Sequence, residues 1–415
     1  MEQPTPEIPS PLDWSKWPGI LTKAVSAAAV VLLAGMAFYH NSIENWLARY
    51  LVGYMFCLSI GLGGLFLVLA HHLFDANWSV PIRRINEHLA CLLPWMAVFW
   101  IPIGIWAPDL YAWMDIVDHP DHALAAKQSP LPLFTLPGFY ISSALCFIIW
   151  WYIPNQLRRL SLEQDKTGAA DCTFQMRKFA FLGIFLFAFS LTLAALMWMK
   201  GLQHAWFSTM YGVYYFAASV WTTIVTVYMI VLLLHRQGNL KDVITGNQYY
   251  YLGTLFLAFT VFYSYIHFSQ YFIIWNGNVP EETFWYAQRE AGAWKGVCYL
   301  LIFGHFFIPF LALLRIDRKL NFNWMTGLFV WALCMHFVDM YFNIIPVVNE
   351  VGEVSFPLIE LASVIVIGGV LAMIFRKNFN SHPPYPQRDP RMAECLGVYI
   401  QPLSEQTEKA AEGAK

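Results

Sequence analysis

Residues 260–294 read TVFYSYIHFSQYFIIWNGNVPEETFWYAQREAGAW. The first half is an apolar segment carrying Thr260, Tyr263, His267 and Gln270, and i, i+3, i+7, i+10 steps place these four along one face of a helix. One side of that helix is expected to be wet. At Asn276 the apolar run stops. Pro280, Glu281 and Glu282 mark the start of a second helix, since proline is tolerated in a first turn and acids favour the positive end of the helix dipole. The chain is expected to leave the membrane at Asn276 and lie along its surface to Trp294. Phe284, Trp285 and Tyr286 would then sit at the interface beside Glu281, Glu282 and Arg289, facing an extracytoplasmic partner.

Of the 415 residues 58% are hydrophobic, 17% aromatic and only 13% charged, more apolar surface than a soluble fold of this size can hide. Runs of about 20 apolar residues, enough to cross roughly 30 Å of hydrocarbon, occur about ten times. They lie near 19–39, 47–70, 88–106, 133–153, 178–199, 211–234, 249–275, 295–314, 324–344 and 357–375. The expected fold is all-α and polytopic, with an N-terminal arm (1–18), a transmembrane domain (19–376) and a tail (377–415). The tail turns Pro-rich and then Glu/Lys/Ala-rich, so little independent fold is expected of it. No basic n-region precedes the first run and no A-x-A site follows it, which reads as a retained helix rather than a signal peptide.

With the termini and alternate loops on one side, that side holds 20 of the 25 Lys and Arg residues, leaving Arg49, Lys127, Lys200, Arg289 and Lys295 opposite. The positive-inside rule then puts both termini in the cytoplasm and the 276–294 excursion outside. Seven cysteines (57, 91, 146, 172, 298, 334, 395) include no C-x-x-C or C-x-x-C-H. That pattern excludes a self-contained Fe–S cluster and a covalently attached haem c, and the cysteines read as small packing residues.

In the second run Ser59, Gly61, Gly63 and Gly64 let a neighbouring backbone come close. After it, His71, His72, Arg83, Arg84, Glu87 and His88 fall where lipid meets water, either as interfacial anchors or as a proton-collecting mouth. Pro94 and Pro102 should kink the third run. The loop from Ala107 to Pro132 is long and opens with Asp109, Asp115, Asp118 and Asp121, a candidate partner surface. The polar loop 155–178 carries only topology. The sixth run sets Tyr215, Ser219, Thr222 and Thr226 at i, i+4, i+7, i+11, a hydroxyl ladder spanning roughly 16 Å at 1.5 Å per residue. Such hydroxyls either bond back to their own helix or line a proton path, here expected opposite Tyr263 and His267 of the next helix.

The costly groups come late in the chain. His267, His305, His336, Asp339 and Glu360 all fall inside apolar runs, where an ionisable side chain costs a few kcal/mol or more unless paired or hydrated. His336 and Asp339 are three residues apart and Asn343 four further on, one face of one helix, so Asp339 is expected to be neutral, paired with a histidine, for which His336 is the natural partner, or touching water. Pro309 cannot donate to the His305 carbonyl. With Ser219, Thr222, Thr226 and Tyr263, these residues make a candidate proton path, His305 near the midplane and the others of this late group in the outer half. A satisfied structural network is the alternative.

Several stretches together carry a resemblance: QYFIIWNGNVPEETFWYAQREAGAW, GHFFIPFLALL with RIDRKLN, HFVDMYFNIIP, WSVPIRRINEHL, and a tail with HPP and RDPRMAECL. They resemble the NrfD/PsrC-like membrane subunits of alternative complex III, a bacterial quinol:electron acceptor oxidoreductase. Length and tail are closer to the shorter, ActF-type, of that complex's two such subunits. The resemblance implies two four-helix bundles (helices 2–5 and 6–9) flanked by helices 1 and 10, in the bacterial inner membrane. It also implies partner subunits: haem c subunits, an Fe–S/molybdopterin-like subunit, a paralogous NrfD-like subunit and small helical subunits. Electrons would leave quinol, menaquinol included, through the haem c and Fe–S of those partners, quinol oxidation falling mainly to the longer paralogue and proton conduction to the shorter. No catalytic residue or metal ligand is expected of this chain itself, contact with quinone is left open with no residues assigned to it, and membrane lipid rather than nucleic acid surrounds it.

A secondary transporter is the second class, favoured by buried His and Asp groups and opposed by the lack of an internal repeat. A haem b cytochrome is disfavoured because the deep histidines stand one per helix rather than two on each of two. The topology makes a direct prediction. Single cysteines placed at positions 281 and 290 should react with a membrane-impermeant maleimide from the side opposite the termini, and reaction from the same side would overturn the assignment.

Overall fold

The computed structural model describes residues 17–114, 133–349 and 351–397. Residues 1–16 of the N-terminal arm, the outer-loop residues Asp115, Asp118, Asp121 and Lys127, and the tail beyond residue 397 lie outside the described residues. Among the described residues ten helices are long and apolar enough to cross a membrane: α1 Gly19–Phe38, α2 Ile43–Leu73, α3 Val80–Ile105, α4 Leu136–Thr167, α5 Asp171–Gln203, α6 Tyr211–Arg236, α7 Gly246–Gly277, α8 Trp294–Leu313, α9 Phe322–Val347 and α10 Leu358–Asn380. The described residues contain no strand, and the chain is an all-α, multi-pass membrane protein. Helices α2–α5 pack as one group and α6–α9 as another, α2 lies against α6 between them, and α10 covers α2 with α1 outside it.

The most apolar windows of α2 and α6 are each 83% buried and that of α1 only 17%, so α2 and α6 form the interior seam. Small residues make this approach possible. A Cβ on Gly63 would overlap Thr223 and the Ser219 carbonyl of α6, and one on Gly53 would overlap Ser363 of α10. Thr223 closes the seam by donating to the Ile60 carbonyl at 3.0 Å.

The stretch 260–294 folds as its residues dictate. α7 ends at Gly277, Asn278 takes the left-handed conformation (φ 47°) that closes the helix, and a surface helix runs Pro280–Glu290 with Pro280 in its first turn. Its aromatic residues differ from expectation. Trp285 and Tyr286 are buried, because Trp285 stacks on Trp206 with centroids 4.6 Å apart and carries the Arg289 guanidinium on its other side. Arg289 donates to the Phe342 and Asn343 carbonyls at 3.0 and 2.9 Å, satisfying carbonyls near the negative end of α9. These side chains lock helix ends together rather than face a partner.

Helix boundaries move where polar residues continue a helix that hydropathy alone does not see. α3 begins at Val80 rather than near 88, and Cys91–Leu92 interrupt it just ahead of Pro94, whose ring cannot donate to the Ala90 carbonyl. The expected loop 155–178 is helical to Thr167 and again from Asp171, the turn between closing on Gly168 at φ 69°. The first part of the tail, of which little independent fold is expected, is folded back onto the rest of the chain. Asp389 and Arg391 are each only 4% exposed, so they belong to the interior. Asp389 pairs with Arg83 and Arg391, and Arg391 also reaches Asp75.

Burial alone would push the Asp389 carboxyl up, but the Arg83 and Arg391 guanidiniums hold it well below the usual carboxylate range. A depressed folded-state pKa means stability that is present above about pH 4, the unfolded aspartate range, and lost as pH falls toward the folded value. Asp389→Ala leaves two buried guanidiniums short of a partner and should cost about 3 kcal/mol. The measurement is thermal unfolding in detergent at pH 7, where an unchanged Tm would show that the tail clasp contributes nothing.

Candidate functional site

Three fully buried titratable side chains from two helices converge where the α6–α9 group meets α2. His305 lies on α8 in a wide helical turn, Leu301–Phe307, with i to i+5 bonding, a distortion that recurs at functional sites. Its ring is held between Trp221 of α6 and Tyr263 of α7, centroids 4.0 and 3.9 Å away. Trp221 is itself fixed by donating to the Thr260 hydroxyl at 2.9 Å. Both His305 nitrogens lack a hydrogen-bond partner.

His336 and Asp339 do share a face of α9, but each is claimed by another helix rather than by the other. Ser59 of α2 donates its hydroxyl hydrogen to the Phe56 carbonyl at 2.7 Å and therefore accepts from His336 Nε2–H at 2.8 Å. That assignment leaves His336 Nδ1 a bare acceptor, and it has no partner. Asp339 Oδ1 accepts from the Tyr214 hydroxyl and from Asn343 Nδ2, the latter at 3.2 Å. Its second oxygen, Oδ2, has no partner. One nitrogen or oxygen from each of His305, His336 and Asp339 lies within 4.8 Å of the other two. Buried polar atoms without partners cost about 1–3 kcal/mol each; His72, Thr222 and Glu360 also carry such atoms, and what sets His305, His336 and Asp339 apart is that they are gathered within 4.8 Å.

Polar links lead away from the three. Tyr214 and Tyr263 hydroxyls lie 3.3 Å apart, and Asn343 Oδ1 accepts from Tyr211 at 3.1 Å. Tyr263 and His267 line a cavity of about 830 Å³ between α7 and α8, with Ser264, Tyr271, Arg289 and Phe342 also on its wall. His267 is half-buried there, its ring centroid 5.5 Å from that of Tyr214.

The hydroxyl ladder of α6 is placed differently. Ser219 and Thr226 donate to the carbonyls four residues back, Tyr215 and Thr222, at 2.7 and 2.8 Å. Thr222 is buried with its hydroxyl unpartnered. The side of α6 that meets Tyr263 and His267 is formed by Tyr214 and Trp221, so the expected seam of Ser219, Thr222 and Thr226 opposite α7 is not the one that forms. A signal for the right face was present. Tyr211, Tyr214, Ala218 and Trp221 repeat the i, i+3, i+7, i+10 steps of α7.

Glu360 stands apart with Arg49. The two form a buried ion pair at 2.7 Å, and Arg49 also donates to Ser355 and Asn349. At the tail side, the residues expected as interfacial anchors are also interior. His71, His72, Arg83, Arg84, Glu87 and His88 are all under 5% exposed, too deep to hold a lipid–water boundary. His71 donates to Ser79 at 2.7 Å and accepts from Arg391 at 3.1 Å. His88 accepts from Arg158 at 2.7 Å.

No protein-family model matches the chain, and no curated protein matches it.

A buried pair differs from a conducting group in how it answers to removal. Arg49→Met alone leaves Glu360 charged and unpaired and should cost about 3–5 kcal/mol, whereas Arg49→Met with Glu360→Leu should recover most of that. Unfolding in detergent distinguishes them, and a double variant as unstable as the single would show that the pair is not the unit.

Proposed function

We propose that this chain is an NrfD-like, ActF-type membrane subunit of a bacterial quinol:electron acceptor oxidoreductase and that its own task is to carry protons. The observation behind this reading is the convergence of His305, His336 and Asp339, each buried and each with an unfilled ring nitrogen or carboxylate oxygen. A group used for proton transfer must exist in two protonation states at modest cost. Histidine and aspartate with open lone pairs, shielded from lipid by Trp221, Tyr263 and Phe56, meet that need. Tyr214 and Tyr263 connect the cluster to the cavity beside His267, where a quinol head group has room. Electrons would pass through haem c and Fe–S groups of partner subunits.

Inner-membrane placement with cytoplasmic termini is supported by the distribution of basic residues. Arg49, Lys200 and Arg289 on one side and Arg83, Arg84, Lys319 and Arg391 on the other are buried within the protein, and with all seven set aside the excess of basic residues stays on the side of the termini. Asp339→Asn keeps the shape and removes the titration. The complex carrying it should assemble with all haems, oxidise quinol and translocate fewer protons per electron in liposomes. A normal proton-to-electron ratio would overturn the relay.

A further inference from the structure

We propose that His305, His336 and Asp339 together bind one water molecule, oriented by Ser59, and that this water is the element through which the relay exchanges its proton; the second clause rests on the function proposed above, the first does not. The donor and acceptor inventory closes on one water. His336 Nδ1 is an acceptor because Ser59 holds its other nitrogen as a donor, and Asp339 Oδ2 is an acceptor because Tyr214 and Asn343 already serve Oδ1. His305, with both nitrogens free, supplies one N–H. A water gives two hydrogens and takes one, which matches two acceptors and one donor, within the 2–4 polar partners that buried waters have.

Charge separates water from a metal ion. One nitrogen or oxygen from each of the three residues lies within 4.8 Å of the other two, and a divalent ion on a single carboxylate there would leave net positive charge in hydrocarbon. In a transfer step that starts with His305 doubly protonated, its N–H hydrogen moves to the water while the water's hydrogen moves to His336 Nδ1, so the positive charge passes from His305 to His336 and His305 is left a neutral imidazole. Ser59 touches none of the moving protons. It is a positioning residue, because without it His336 is free to turn its proton toward the water and the acceptor is lost.

The test is cryo-electron microscopy of the intact complex at a resolution that shows waters, together with elemental analysis and infrared difference spectra in H₂¹⁸O. Expected are one spherical density with three contacts near 2.8 Å, no stoichiometric metal at this position, and an O–H band that shifts with ¹⁸O. That band should be lost in Ser59→Ala and retained in Ser59→Thr. A stoichiometric metal with contacts near 2.1 Å, an absent density, or a band unchanged in Ser59→Ala would overturn the proposal. These readouts do not depend on proton pumping, so a normal proton-to-electron ratio in Asp339→Asn would sink the relay while leaving the water site to stand or fall by itself.

Discussion

Inside a bilayer a polar group finds its partner in the protein or goes without, because the hydrocarbon offers none. Many polar groups among the described residues obey the first half of that constraint. Arg49 has Glu360, Arg289 has the carbonyls near the end of α9, Trp221 has Thr260, and the hydroxyls of Ser219 and Thr226 have their own helix. Against that background, the unfilled atoms at His305, His336 and Asp339 carry information. They are gathered in one place, and the surrounding side chains are arranged to keep them open.

The arrangement needs both helix groups. Asp339 is held by Tyr214 of α6, His305 by rings from α6 and α7, and His336 by Ser59 of α2. The close α2–α6 contact, which Gly63 permits, therefore does more than bury area. It brings Ser59 to α9, and with it the choice of which His336 nitrogen carries a hydrogen. The wide turn in α8 does the corresponding work for His305, since a regular helix there would rotate the ring away from the Trp221–Tyr263 slot.

What the sequence revealed, and what it hid, follows from what each residue type costs. The ten spans and the break at Asn276 were legible because lipid-facing helices need apolar residues for about 20 positions and because Pro280 and its acids have a specific place in a helix start. His305, His336 and Asp339 were legible because they are expensive in hydrocarbon. Their partners were not, since serine, tyrosine and tryptophan are ordinary in membrane helices and reveal nothing until a fold sets them beside a charge. Helix ends were misjudged for a related reason. The first turns of α3 and the last of α4 are polar but buried against each other and the tail, through Arg84 with Asp165 and Arg83 with Asp389, and hydropathy measures affinity for lipid rather than for protein.

The same accounting separates the two charged regions of the molecule by their surroundings. In the tail-side cluster each named carboxylate meets at least one guanidinium: Glu87 meets Arg83 and Arg84, Asp165 meets Arg84, Asp389 meets Arg83 and Arg391, and Asp75 meets Arg177 and Arg391. Carboxylates so paired give up a proton-binding state, because protonating one strands a guanidinium. Asp339 meets no guanidinium; its partners are a neutral hydroxyl and a neutral amide. Protonating it strands no cation, which is what the relay proposed above requires. A fixed charge network and a carboxylate without a cationic partner thus have opposite surroundings, and the chain builds the first where its tail docks and the second where α9 meets α2 and α6.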